Sequence, residues 1–234
     1  MIAVVRTLLF YLVFFAGTLP MVLLAVLVSP LSVAWMRRLT RLWGDWFFLC
    51  ARVLLGIRLV VRGAVPQHAI LVASKHQSWY EAILTLHLFH EPAVVMKAEL
   101  RRIPLWGYLA ARHGSIFVER AQGGRALRSM LRAAKAHRGS GRPVFIFPEG
   151  TRVAVDAAPD LKAGLYALYA ALKRPLVPVA LDAGRCWPKT FAKRAGTVTI
   201  GFQPDIAAGL PREELEALVR DAINADPRTC PVRA

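Results

Sequence analysis

From residue 57 onward, short β-rich apolar runs alternate with helical runs, and that alternation leaves few folds open. Runs at 57–61, 69–73, 93–96, 115–118, 144–147, 176–181 and 197–202 read as strands. Helical runs fall between several of them, at 80–90, 104–112, 123–137, 161–173 and 212–223. Strands separated by helices predict an α/β domain with a mainly parallel, mixed sheet flanked by helices. In such sheets the site gathers at the carboxyl ends of the strands. Residues that follow a strand are therefore the first place to look for chemistry.

The N-terminal part is of another kind. Residues 8–28 carry no charge over 21 positions, which is long enough to cross a bilayer. Ser32-Val33-Ala34 resembles a signal-peptide cleavage site. The apolar run, however, exceeds a usual h-region, and Arg37, Arg38 and Arg41 follow it as a stop-transfer flank. The segment is expected to stay in the membrane. Gly17 and Pro20 lie mid-run and are expected to bend or break the helix. A second amphipathic stretch, 39–55, mixes Trp43, Trp46, Phe47 and Phe48 with Arg41 and Arg52, a composition suited to the headgroup boundary. Two arrangements fit: a spanning first helix, or a two-helix hairpin dipping into one leaflet. The second helix also fits plain core packing against the domain. The expected organisation is a membrane-embedded part at 1–56, an α/β domain at 57–225 and a tail at 226–234.

Charge narrows the partners. The chain has 31 Lys+Arg against 15 Asp+Glu, a net charge of +16, and 56% of its residues are hydrophobic. Basic excess alone invites nucleic acid, anionic lipid or acidic carriers. Joined to this apolar excess it favours a membrane surface, and no nucleic-acid partner is expected. Cys50, Cys186 and Cys230 are odd in number and far apart, which argues against a disulfide framework or a zinc site. His87, His90 and Glu91 lack a third ligand at useful spacing, so no metal is expected. On the 123–137 run, Arg125, Arg128, Arg132 and Lys135 line the side opposite Leu127, Met130, Leu131 and Ala134. That side reads as a solvated face or as a docking face for an acidic carrier, a nucleotide or lipid headgroups.

Four stretches after strands carry chemistry. Ser74-Lys75-His76-Gln77-Ser78-Trp79-Tyr80-Glu81 follows the second strand and opens a helix. On one continuous helix, residues five apart point about 140° from each other. A turn between them lets Glu81 fold back to His76, fix its tautomer and free the other ring nitrogen as a base. The pair alone equally fits a surface histidine and a helix N-terminal glutamate favoured by the dipole. Phe147-Pro148-Glu149-Gly150-Thr151-Arg152 follows another strand, with a turn that admits close substrate approach and with donors for a phosphate. Lys97 and Arg120 stand beyond two further strands, so Lys97, Arg120 and Arg152 would converge as one anion pocket.

These motifs resemble the glycerolipid acyltransferases, specifically the 1-acyl-sn-glycerol-3-phosphate acyltransferases. The family's first motif is His-x4-Asp, usually preceded by Asn. Here His76 matches, Glu81 stands for Asp and Lys75 for Asn. Lys97, Pro104, Gly114, Phe117 and Arg120 match the second motif. Phe147 to Arg152 gives the third complete, and Val177-Pro178-Val179 matches the fourth. The resemblance covers roughly residues 57–204. It implies that His76 deprotonates a glycerol hydroxyl, with Glu81 orienting it, and that the hydroxyl attacks an acyl thioester on coenzyme A or acyl carrier protein. It implies that Lys97, Arg120 and Arg152 bind the acceptor phosphate and that Glu149, Gly150 and Thr151 shape the acceptor site. No bound cofactor is expected, and no Gly-x-Ser-x-Gly nucleophile elbow occurs.

The expected reaction turns lysophosphatidic acid into phosphatidic acid at the inner membrane, with the catalytic domain facing the cytoplasm and anionic lipid as a partner. Other acceptors stay open: lyso-ornithine lipid, a lysophospholipid or glycerol 3-phosphate. The replacements at Lys75 and Glu81 also keep open a catalytically inactive, membrane-anchored lipid-binding protein.

Overall fold

A computed structural model describes residues 1–66, 68–119 and 124–230. The α/β part holds strands β1 (Ile57–Arg62), β2 (Leu71–Ser74), β3 (Ala93–Lys97), β4 (Ile116–Val118), β5 (Val144–Ile146), β6 (Leu176–Leu181) and β7 (Gly196–Phe202). They form one sheet in the order β1-β7-β6-β2-β5-β3-β4. Every neighbouring pair is parallel except β6 with β7. The sheet is therefore mixed and mainly parallel, and the carboxyl ends of β2 to β6 share one rim.

Period-two alternation sorts the strand side chains between two cores. Val72, Phe145 and Val177 face one core, while Leu71, Ala73, Val144, Ile146 and Leu176 face the other. Helices cover both faces, so β2, β5 and β6 are buried along their whole length and read as continuous apolar runs. Pro178 sits inside β6 without disrupting it. It falls between the antiparallel ladder that starts at Val179 and the bridge Leu176–Ile206, where its missing N–H breaks no pairing.

The helices are α1 (Ile2–Val28), α2 (Val33–Cys50), α3 (Tyr80–Leu88), α4 (Trp106–His113), α5 (Gly124–Lys135), α6 (Gly164–Leu172), α7 (Ala183–Cys186) and α8 (Arg212–Asn224). A π-helical turn, Ala51–Leu55, extends α2 to β1. α5, α6 and α8 pack on one face of the sheet, and Arg125, Arg128, Arg132 and Lys135 of α5 point to solvent. Residues 226–230 lie against the sheet, where Pro227 and Cys230 are buried and Arg62 donates to the Cys230 carbonyl.

α1 and α2 lie against each other and against the other face of the sheet. Phe10 and Phe14 of α1 meet Phe47 of α2 and enter the same core as Trp187 and Val179. Arg6 Nε donates to the Leu54 carbonyl at 2.8 Å, and Thr7 Oγ1 accepts from the Lys193 N–H at 2.9 Å. The opposite side of α1 is an apolar stripe: Leu8, Leu12, Phe15, Leu19, Leu23 and Leu27 recur at helical spacing and are exposed. Among the described residues α1 alone is long and apolar enough to cross a membrane.

The expected break in α1 does not occur. The helix runs unbroken through Pro20. Trp46 Nε1 donates to the Phe14 carbonyl at 3.2 Å and Trp43 Nε1 to Thr18 Oγ1 at 3.0 Å, so α2 splints the turn that precedes the proline. Gly17 has a packing role instead of a hinge role. A Cβ there would lie 2.6 Å from the Trp46 indole nitrogen.

Candidate active site

Chain local to the site begins at the end of β2. Ser78 and Glu81 form a capping box, the Ser-x-x-Glu pattern that starts a helix by satisfying its free N–H groups. The Ser78 N–H and the Gln77 N–H both donate to Glu81 Oε1 at 2.5 Å. Ser78 Oγ donates to Glu81 Oε2 at 2.5 Å and accepts from the Tyr80 N–H at 3.1 Å. The same Oε1 lies 3.0 Å from His76 Nδ1. The carboxylate that caps α3 is therefore the one that holds the imidazole. Glu81 is buried, with 1% of its side chain exposed, whereas His76 keeps 20% exposed. With Nδ1 turned to the carboxylate, Nε2 is the nitrogen left for substrate.

The histidine is fixed from other sides as well. Its ring stacks on Phe147, with centroids 4.3 Å apart. Its own N–H donates to Glu149 Oε2 at 2.7 Å, and its carbonyl accepts from the Val153 N–H at 2.7 Å. Gln77 binds the turn to the next strand end, donating to the Leu181 carbonyl at 2.9 Å and accepting from the Gly184 N–H at 2.8 Å.

Phe147-Pro148-Glu149-Gly150 is a tight turn after β5, closed by the Gly150 N–H on the Phe147 carbonyl at 3.0 Å. Gly150 has φ +70°, a backbone state glycine adopts at no steric cost. The turn drives Glu149 inward, where it is 2% exposed and its Oε1 has no hydrogen-bond partner. Burial pushes this carboxyl up to about 7, against the lowering pull of the His76 N–H and of Lys75. Thr151 and Arg152 point to solvent beyond the turn.

Lys97 ends β3 on the same rim and is exposed. Parallel pairing of β2, β5 and β3 thus gathers His76, Glu81, Glu149, Gly150, Thr151, Arg152 and Lys97 at one edge of the sheet. Arg120 lies outside the described residues.

Sequence reasoning overlooked Ser78 and Gln77. Ser78 carried a signal, since Ser78-x-x-Glu81 is the capping-box pattern. Gln77 carried none, because its partners stand 104 and 107 residues away. His87 pairs with Asp45 at 2.6 Å and stacks on Phe48, joining α3 to α2.

A protein-family model described as acyltransferase matches residues 58–182. The 1-acyl-sn-glycerol-3-phosphate acyltransferase of Pseudomonas aeruginosa is 32% identical over 209 residues, 87% of this chain and 81% of its own. The lyso-ornithine lipid O-acyltransferase of the same bacterium is 37% identical over 124 residues, 53% of this chain and 44% of its own. In fold, the chain is similar to the crystal structure of the 1-acyl-sn-glycerophosphate acyltransferase of Thermotoga maritima. That match has a TM-score of 0.75, 23% identity, and covers 94% of this chain and 92% of the other.

Proposed function

This chain belongs to the acyltransferase family, and from that premise we propose that it acylates 1-acyl-glycerol 3-phosphate to phosphatidic acid. The observation that carries the reading is the 3.0 Å contact between His76 Nδ1 and Glu81 Oε1 on a rim that also bears Lys97 and Arg152.

His76 Nε2 takes the proton of the acceptor's free hydroxyl as the oxygen attacks the thioester carbonyl. The new C–O bond forms, the C–S bond breaks, and the imidazolium returns the proton to the departing thiolate, which leaves as the free thiol. Glu81 keeps the ring in one tautomer and stabilises its cationic form. Lys97 and Arg152 grip the acceptor's phosphate, joined by Arg120, and Gly150 and Thr151 shape the acceptor site. Glu149 supports the site from beneath through the His76 N–H. No bound cofactor takes part. The acyl donor is an acyl-CoA or an acyl carrier protein.

Residues 1–56 hold the enzyme in the membrane and residues 57–225 carry the chemistry. The docking of Thr7, Phe10 and Phe14 on the α/β part favours a hairpin seated in one leaflet, with the Leu8-to-Leu27 stripe toward lipid. The catalytic part faces the cytoplasm of the inner membrane, where the exposed Arg38 and Arg41 meet anionic headgroups, while Arg37 pairs with Glu91.

A second reading, acylation of lyso-ornithine lipid, is favoured by the 37% identity to an enzyme of that name. A panel of acceptors with purified enzyme separates the two. Product from lysophosphatidic acid supports the main reading. Product from a phosphate-free lysolipid alone contradicts it.

A further inference from the structure

Lys75 is the residue whose role the acyl-transfer reading leaves open. Its side chain is buried, with the residue 4% exposed. Its Nζ donates to the Val155 carbonyl at 2.9 Å, to the Ala157 carbonyl at 3.0 Å and to Asn224 Oδ1 at 2.6 Å. These three acceptors match the three protons of an ammonium group, so the charge is fully coordinated. Two of them lie on the loop that follows the Phe147 to Gly150 turn, and the third lies on the last residue of α8.

That loop has little else to order it. Thr151, Arg152, Ala154, Asp156, Ala158, Pro159 and Asp160 are all exposed, so it buries little apolar surface. Among the described residues, besides Lys75 it is held by the Val153 N–H on the His76 carbonyl, by Lys189 Nζ on the Arg152 carbonyl, and by two solvent-exposed ion pairs, Asp156 with Arg185 at 3.6 Å and Asp160 with Arg220 at 3.1 Å, which add little. Lys75 and His76 are neighbours in sequence, so one turn of chain grips the loop with a side chain and a carbonyl at once.

We infer that Lys75 is a positioning residue. It pins the 153–157 segment across the catalytic turn and so presents Arg152 to the acceptor, with α8 as the fixed support. This rests on the proposed role of Arg152, but the pinning itself does not. A side chain with one acceptor-donor amide cannot replace three ammonium donors, which gives the geometry a reason for a lysine at this position.

Three variants test it in the full-length, detergent-purified enzyme. Lys75→Met keeps length and loses the donors, Lys75→Arg restores a cation, and Asn224→Ala removes one acceptor. For the lysolipid that the wild type turns over, Lys75→Met is expected to raise the acceptor KM about tenfold or more, the scale of losing one charge-assisted hydrogen bond. The donor KM should stay unchanged, and Lys75→Arg should recover part of the loss. Limited trypsin digestion, which needs no substrate, should cut after Arg152 in Lys75→Met and spare the wild type. Asn224→Ala should show both changes in weaker form, and it carries the test alone if Lys75→Met does not fold. Unchanged acceptor KM together with an unchanged digestion pattern overturns the inference. New cleavage without a change in acceptor KM supports the pinning and contradicts the role of Arg152.

Discussion

Replacing Glu81 by Gln separates its charge from its geometry. The wild-type carboxylate accepts from two main-chain N–H groups and the Ser78 hydroxyl, and it faces His76 Nδ1. Both N–H groups converge on Oε1, so in Gln the amide oxygen must occupy that position and its NH2 must turn to Ser78 Oγ. Ser78 can rotate to accept. The His76 tautomer then survives, because an oxygen still faces Nδ1. What is lost is the negative charge opposite the imidazolium formed during proton transfer. Hydrogen bonds to charged groups contribute about 1.5–3 kcal/mol and neutral ones about 1, so the loss is about 0.5–2 kcal/mol. At 1.4 kcal/mol per factor of ten, kcat should fall about 2- to 30-fold with KM little changed. Glu81→Ala removes tautomer control as well and should cost more than Gln, up to the about 10²–10⁴ of losing the general base itself. The assay is thiol release from an acyl-CoA with lysolipid acceptor. If Gln is as damaging as Ala, the main-chain N–H groups do not pin the amide. If Gln turns over at the wild-type rate, the charge plays no part.

Two further outcomes follow from burial. The folded protein keeps the Glu149 proton up to about 7, whereas an unfolded chain loses it near 4.5. Burial of this group therefore carries no ionisation cost below pH 4.5 and destabilises progressively as pH rises toward 7, by about 3 kcal/mol at 1.36 kcal/mol per pH unit. Glu149→Gln should flatten the dependence of melting temperature on pH between 4.5 and 7, and an unchanged slope counts against the buried carboxyl. Separately, Gly17→Ala forces a Cβ into the Trp46 indole and should destabilise by about 1–3 kcal/mol in detergent melts, as overpacking does. Wild-type stability in that variant means α1 and α2 pack less closely.

The sheet was legible because strand burial and strand chemistry agree. Val144-Phe145-Ile146 and Leu176-Val177 are apolar on both sides, as a parallel strand covered on both faces must be. The contact between His76 and Glu81 was legible because it is local, set by a turn five residues long. Pro20 does not break α1, because propensity describes an isolated helix and α2 supplies Trp43 and Trp46 to hold this one together. Lys75 was unreadable for the same reason at longer range. Its partners stand 80, 82 and 149 residues away, and periodicity records only neighbours.

The central claim is that His76 is the base. It is tested most directly by His76→Ala in acyl transfer from thioester to lysophosphatidic acid, with melting temperature and vesicle binding measured on the same sample. General-base removal should lower turnover by about 10²–10⁴ while folding and membrane binding persist. Wild-type turnover in the variant contradicts the account.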